Sequence, residues 1–237
     1  MPRNANSMSR SGLTAALLLL LAGCAQQPTI DSETLSYEGA MPANFDGSWE
    51  RDYSRGSDVQ YELRRLYNQM YRAAQQRAAT GGYPGNVDVG ISAKDASSIQ
   101  ALAQLADEIT RPDVLTISQN EYEITVERKD DFAMLCEFFG GVSKGTESVY
   151  GSEVCGWDGD QLVSYLTLPD GLTVIHRFTI SDDRNYLRVV TTVASTAYRL
   201  PFTLSRFYSK FEPASSDFNC VETLSMKRVC STGEINP

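Results

Sequence analysis

From Val114 onward the chain alternates apolar and polar side chains with a period of two. Tyr122, Ile124 and Val126 interleave with Glu121, Glu123, Thr125 and Glu127; Leu172, Val174, His176, Phe178 and Ile180 interleave with Thr173, Ile175, Arg177 and Thr179. Successive side chains of a strand point to opposite faces, so this pattern predicts strands with one buried face each. Turn residues punctuate the runs at Gln119-Asn120, Lys129-Asp130-Asp131, Asp158-Gly159, Asp170-Gly171 and Asp182-Asp183. Strands in unbroken succession with short turns form an antiparallel meander, and a meander must hide its two edges. The expectation is a mainly β protein: an up-and-down antiparallel barrel of about eight to nine strands, carrying a two-helix insertion.

The insertion is predicted at about residues 54–112, where the apolar period becomes helical. Val59, Leu63, Leu66, Tyr67, Met70, Tyr71 and Ala74 share one stripe, with Ser57 and Gln60 placed as a capping box. Gly81-Gly82-Tyr83-Pro84-Gly85 ends that helix. A second helix is expected from about Ala96 to Thr110, with Ile99, Leu102, Leu105, Ala106 and Ile109 inward and Pro112 closing it.

The N-terminus reads as an address. Arg3 and Arg10 precede an apolar run from Leu13 to Ala22, too short to span a bilayer, and the run ends in Leu21-Ala22-Gly23-Cys24. That ending resembles the lipobox of bacterial lipoproteins. The resemblance implies a signal peptide over residues 1–23, cleavage before Cys24, and a diacylglyceryl group on its thiol beside further acylation with palmitate-like chains. Several acyl chains anchor where one would bind reversibly. Ala25, in place of the Asp that marks inner-membrane retention, implies the outer membrane, with the protein facing the periplasm. Residues 24–43 are Gln-, Ser-, Glu- and Pro-rich without an apolar period, and are expected to be a flexible tether for a barrel domain over 44–237.

Phe45-Asp46-Gly47-Ser48-Trp49 resembles the F-x-G-x-W opening of the lipocalin superfamily. The resemblance implies a barrel with Trp49 plugging its floor, Gly47 and Trp49 as signature residues, and Arg206 from the last strand stacked over the indole. A guanidinium over an indole face contributes about 1 kcal/mol.

The net charge of −9, from 21 basic and 30 acidic residues, argues against nucleic acid as a partner, because such binders need a basic footprint. Setting aside Cys24, four cysteines remain: Cys136, Cys155, Cys220 and Cys230. An even number in an exported chain points to disulfides, with three possible connectivities; the pairs 136–155 and 220–230 need the least chain rearrangement. A zinc site is disfavoured, since there is no C-x-x-C and only one His.

No catalytic constellation emerges, and no cofactor or metal is implied. Gly141-Val142-Ser143-Lys144-Gly145 matches the G-x-S-x-G nucleophile elbow, yet no helix follows it as that motif requires. A glycine-rich hairpin reads better, and His176, on an apolar face, reads as a hydrogen-bonded interior residue. The expected function is therefore non-enzymatic binding. The partner would be a small amphiphile in the barrel mouth or another envelope protein through the helical insert. Tyr165, His176, Arg188 and Arg206 are the candidate ligand-contacting residues. The alternative is a periplasmic hydrolase using Ser143 or a carboxylate pair. A filled barrel, without a void of a few hundred Å³, would shift the weight to the insert.

Overall fold

Eleven strands form one antiparallel sheet in the order β5-β4-β3-β2-β1-β11-β10-β9-β8-β7-β6, bent into a nearly closed barrel. The structure is a computed structural model and describes residues 35–80, 92–128, 133–149, 151–198, 200–213, 218–221 and 229–232. The strands are β1 (Gly47–Arg51), β2 (Val114–Gln119), β3 (Glu123–Arg128), β4 (Met134–Phe139), β5 (Val142–Lys144), β6 (Thr146–Ser148), β7 (Gly151–Asp158), β8 (Gln161–Thr167), β9 (Leu172–Ile180), β10 (Tyr186–Ser195) and β11 (Phe202–Phe211). Between β1 and β2 lie α1 (Val59–Thr80) and α2 (Ala93–Ile109); β12 (Phe218–Val221) and β13 (Val229–Thr232) make a separate hairpin.

The strand number exceeds the expected eight to nine because of β5 and β6. Each has three residues, too few for alternation to be read, and they are two halves of one strand interrupted at Gly145. The first half pairs with β4 and the second with β7. This strand brings the two ends of the meander together. Two further links cross the same seam: a disulfide between Cys136 on β4 and Cys155 on β7, with Cα atoms 5.5 Å apart, and a hydrogen bond donated by the buried Ser143 hydroxyl to the Cys155 carbonyl. Of the other cysteine pair, the backbone register sets Cys220 opposite Cys230 in β12–β13, and their side chains lie outside the described residues. Cys24, residues 1–23, Gly81 to Gly85 and the Lys129-Asp130-Asp131 turn also lie outside them.

The floor of the barrel is aromatic. Phe45, Trp49, Trp157 and Phe138 are buried together with Ile117, Ile124 and Leu187, and the Phe45 and Trp157 rings stack at 5.7 Å. The Trp49 indole N–H donates to the Phe45 carbonyl at 2.9 Å. Burying each such side chain contributes about 2–3 kcal/mol. Leu35–Ala43, expected as tether, is instead packed onto this end. Leu35 is buried, Tyr37, Met41 and Ala43 lie against the floor cluster, and the Tyr37 N–H donates to the Gly141 carbonyl at 2.9 Å. Gly141 has φ +80°, and a Cβ there would stand 2.1 Å from the Tyr37 carbonyl oxygen, so the close approach requires glycine. The composition of this segment hid four well-placed apolar side chains among polar ones.

The mouth is closed by the insert. Leu102, Ala103 and Ala106 of α2 are buried against Val174, Val193, Phe202 and Leu204 of the barrel, with Val59, Leu63 and Leu66 of α1 packed partly against the same cluster. Both helices start elsewhere than expected. Asp58, rather than Ser57, caps α1, accepting from the Tyr61 N–H at 2.6 Å. Ser57 is instead tied to β11, its N–H donating to the Ser205 carbonyl at 2.8 Å and its hydroxyl accepting from the Ser205 N–H at 3.1 Å. α2 begins at Ala93, three residues ahead of the expected start, and Ser92 caps it, its oxygen accepting from the Asp95 N–H. Tyr71, predicted inward, is exposed, because α2 covers only one side of α1, and no α1 residue whose side chain is described is fully buried.

The seam disulfide closes a 19-residue separation, for which chain-entropy reasoning gives about 3 kcal/mol. Replacing Cys136 and Cys155 together by Ser is expected to lower the unfolding free energy by about that amount in urea melts. Equal midpoints for the variant and the parent would show that the bent strand closes the barrel alone.

Candidate functional site

The interior holds a polar layer between the aromatic floor and the helix-covered mouth. Cross-strand register creates it. Ser164 on β8 faces His176 on β9, which faces Thr191 on β10, and His176 Nδ1 and the Thr191 hydroxyl are 2.9 Å apart. Ser164 and Thr191 are buried and His176 is half-buried. Glu153, at the inward parity of β7, accepts from the Ser164 hydroxyl at 3.5 Å. These groups share the parity of Cys155 and Trp157, Leu162, Val174 and Phe178, and Leu187 and Val193. Glu153, Ser164 and Thr191 were missed in the sequence although the alternation itself marks them: each is a polar residue at a position whose neighbours two away are apolar.

Arg206 dominates the layer. It is 6% exposed and makes three bonds, all to the insert or the segments flanking it. Its Nη2 donates to Asp107 Oδ1 of α2 at 2.8 Å, its Nη1 to the Ser57 carbonyl at 2.6 Å and its Nε to the Thr110 hydroxyl at 3.1 Å. Burial, and then the nearby Arg51 charge, pull the guanidinium below its ordinary pKa; Asp107 acts in the opposite direction. A buried cation costs several kcal/mol unless it is paired and hydrogen-bonded, so Arg206 fixes the helices to β11. Arg51 does related work beside it, donating to the Arg111 carbonyl at 3.3 Å and lying 4.6 Å over the Tyr53 ring. Tyr208 follows on the same face of β11 and donates to the Pro112 carbonyl at 3.3 Å. Its burial pushes the phenol up to about 12.

The cation over Trp49 is Lys210, not the expected Arg206. Trp49 pairs in register with Lys210, whose Nζ stands 5.6 Å over the indole and donates to the Asp46 carbonyl at 3.1 Å. Arg206 lies four residues back along β11, about 13 Å at strand rise. Gly47 makes room for this contact: it has φ +133°, and a Cβ there would come within 2.8 Å of Lys210 Cε.

Of the four candidate ligand-contacting residues, His176 and Arg206 face the interior while Tyr165 and Arg188 do not. The Tyr165 hydroxyl accepts from Arg177 Nη2 at 3.2 Å on the outer face. Arg188 is exposed, donates to the Ser205 hydroxyl at 3.1 Å and lies 5.9 Å over the Phe207 ring. Arg188 lies between the buried Leu187 and Val189, and Tyr165 is next to the inward Ser164, so no single pocket gathers the four. Ser143 is likewise no nucleophile elbow: β5 runs into β6 rather than into a helix, and its hydroxyl is committed to the Cys155 carbonyl.

His176, Thr191, Arg206, Tyr208 and Arg128 converge on one interior cavity of about 30 Å³. That is the space of about one water molecule and an order of magnitude below a small-molecule site. No family model, curated protein or solved structure matches the chain.

Glu153 gives the layer a pH signature. Burial raises its carboxyl above the ordinary 4.5, against the Ser164 hydroxyl and the Arg128 charge. A raised folded-state value means the fold favours the protonated form. Its contribution is present below about the ordinary value and lost as pH rises through the raised one. Glu153→Gln is therefore expected to raise the urea midpoint at pH 7 and to have no effect near pH 4. A variant less stable at pH 7 would mean that the charged carboxylate is itself stabilising.

Proposed function

We propose that this protein is an outer-membrane-anchored lipoprotein facing the periplasm, which acts by binding another envelope component through its helical insert, on a barrel that serves as scaffold. The observation that carries the reading is the filled interior. With a cavity of about 30 Å³, floor and mouth are packed as cores, and the cations inside serve the fold, Arg206 above all. To enter the barrel through its mouth, an amphiphile would have to lift α2 off Val174, Val193, Phe202 and Leu204 and break the three bonds of Arg206. The insert, by contrast, adds 39 helical residues, 22 in α1 and 17 in α2, and α1 has one whole side uncovered. The Cys24 motif supports the anchoring, and the structured chain reaches the floor of the barrel from Leu35, eleven positions after that cysteine.

Three measurements test this. Radiolabelled palmitate is expected to enter the expressed protein and to be absent from Cys24→Ser; equal labelling of both would remove the anchor. Solvent extraction of protein purified from envelopes should yield no stoichiometric lipid beyond the anchor, and a photo-crosslinking residue at Tyr71 should join the protein to a distinct envelope partner. A bound amphiphile at one per chain, or no crosslink at that position, would overturn the binding mode.

A further inference from the structure

The partner-binding reading leaves open what kind of surface the insert accepts, and α1 carries a charge pattern that answers it. The helix contains Arg64, Arg65, Arg72 and Arg77 against one acid, Glu62. Its net +3 sits on a chain of net −9, so the remaining residues carry −12. The acid is turned inward: the Glu62 side chain is 16% exposed and held by Arg65 at 2.7 Å. All four arginines are exposed. Arg64 and Arg72 have no ion-pair partner among the described residues.

Helical geometry arranges these residues into two neighbouring lines. Tyr61, Arg65 and Arg72 fall within about 40° of one another around the axis; Arg64, Asn68, Tyr71 and Gln75 form the adjacent line. Tyr61 and Tyr71 are 57% and 47% exposed. An outward face of arginine, tyrosine and amides, with no exposed acid, has the composition of a recognition surface. Guanidinium groups select carboxylates through paired, planar hydrogen bonds.

We propose that the exposed face of α1 docks an acidic segment of a protein, its carboxylates meeting Arg64, Arg65 and Arg72 and its flanking groups meeting Tyr61 and Tyr71. This rests on the reading that the insert is the binding element. Charge complementarity selects the occupant: the helix carries +3 while the rest of the chain carries −12, so an acidic segment is drawn to the helix against the average charge of the molecule. The lines of side chains along a rigid helix match an extended or helical peptide bearing spaced carboxylates.

The test uses the full chain and a fluorescein-labelled polyglutamate peptide, read by anisotropy. Binding is expected at 50 mM salt, weakening about tenfold by 200 mM. The double variant Arg64→Glu/Arg72→Glu should lose at least about tenfold in affinity, while Arg188→Glu on the barrel wall, with a similar charge change, should lose little. Unchanged circular dichroism of the double variant would exclude unfolding as the cause. Three outcomes would overturn the proposal. No polyglutamate binding with capture of phosphatidylglycerol vesicles makes the occupant a lipid surface. Sedimentation showing self-association abolished by the double variant makes it a second copy of this chain. Equal peptide affinity in both arginine variants makes the attraction non-specific. The Tyr71 crosslink separates this idea from the reading beneath it: a crosslink that persists in the double variant keeps the insert as binding element and removes the acidic partner.

Discussion

An antiparallel sheet of eleven strands would leave two rows of unpaired backbone N–H and C=O groups if it stayed open, and each row would be a template for aggregation. Here both edges meet at one seam, and the strand from Val142 to Ser148 serves each of them in turn, β4 through its first half and β7 through its second. The sheet cannot form this contact unless the floor is filled, because β4 and β7 contribute Phe138 and Trp157 to the cluster beneath it. Seam and floor are thus one cooperative unit. The Cys136–Cys155 bond and the Ser143 hydrogen bond lie where an opening of the barrel would begin, and the Tyr37–Gly141 hydrogen bond adds the N-terminal segment to the same unit.

Above the floor the barrel changes character. A cylinder packed only with apolar side chains would have no reason to hold a particular insert in a particular place. Arg206 supplies one, since its three partners at Ser57, Asp107 and Thr110 span the start and the end of the insertion. Asp107 keeps a side chain about half exposed, so solvent screens the ionic part of that pair. The burial of the cation itself sets the stakes. Removing the partners would strand a charge inside, whereas removing the charge would leave the helices held by apolar contacts, chiefly those of Leu102, Ala103 and Ala106, and by the Ser57–Ser205 bonds.

How much of this was legible in the sequence follows from what each signal encodes. Alternation reports parity, so it revealed the barrel and could have placed Tyr165 and Arg188 outside: Arg188 stands between Leu187 and Val189, both buried. Alternation does not report how far one strand slides against another. The identification of Arg206 with the cation over Trp49 failed for that reason, since the pairing of β1 with β11 puts Lys210 there instead. Helix starts failed through competition between local and distant partners. Ser57 has the right chemistry for a cap, yet its N–H and its hydroxyl are both engaged by the Ser205 backbone, and Asp58 takes the role. Three-residue strands such as β5 and β6 carry too few side chains for any period to show.

The two ends of the barrel face different tasks, and the direction of β1 settles which is which. β1 leaves the floor at Gly47 and reaches the mouth at Arg51, where the insert begins. The segment from Leu35 to Ala43 packs at the floor, so the insert stands away from it by the height of the barrel, about 25 Å for tilted strands of this length. The charges on α1 lie well beyond a Debye length of about 8 Å from the floor at physiological salt, and they act on what approaches the mouth. The arginines of α1 stand at that end, so an acidic partner of the kind proposed would meet them at the mouth, clear of the floor and its seam.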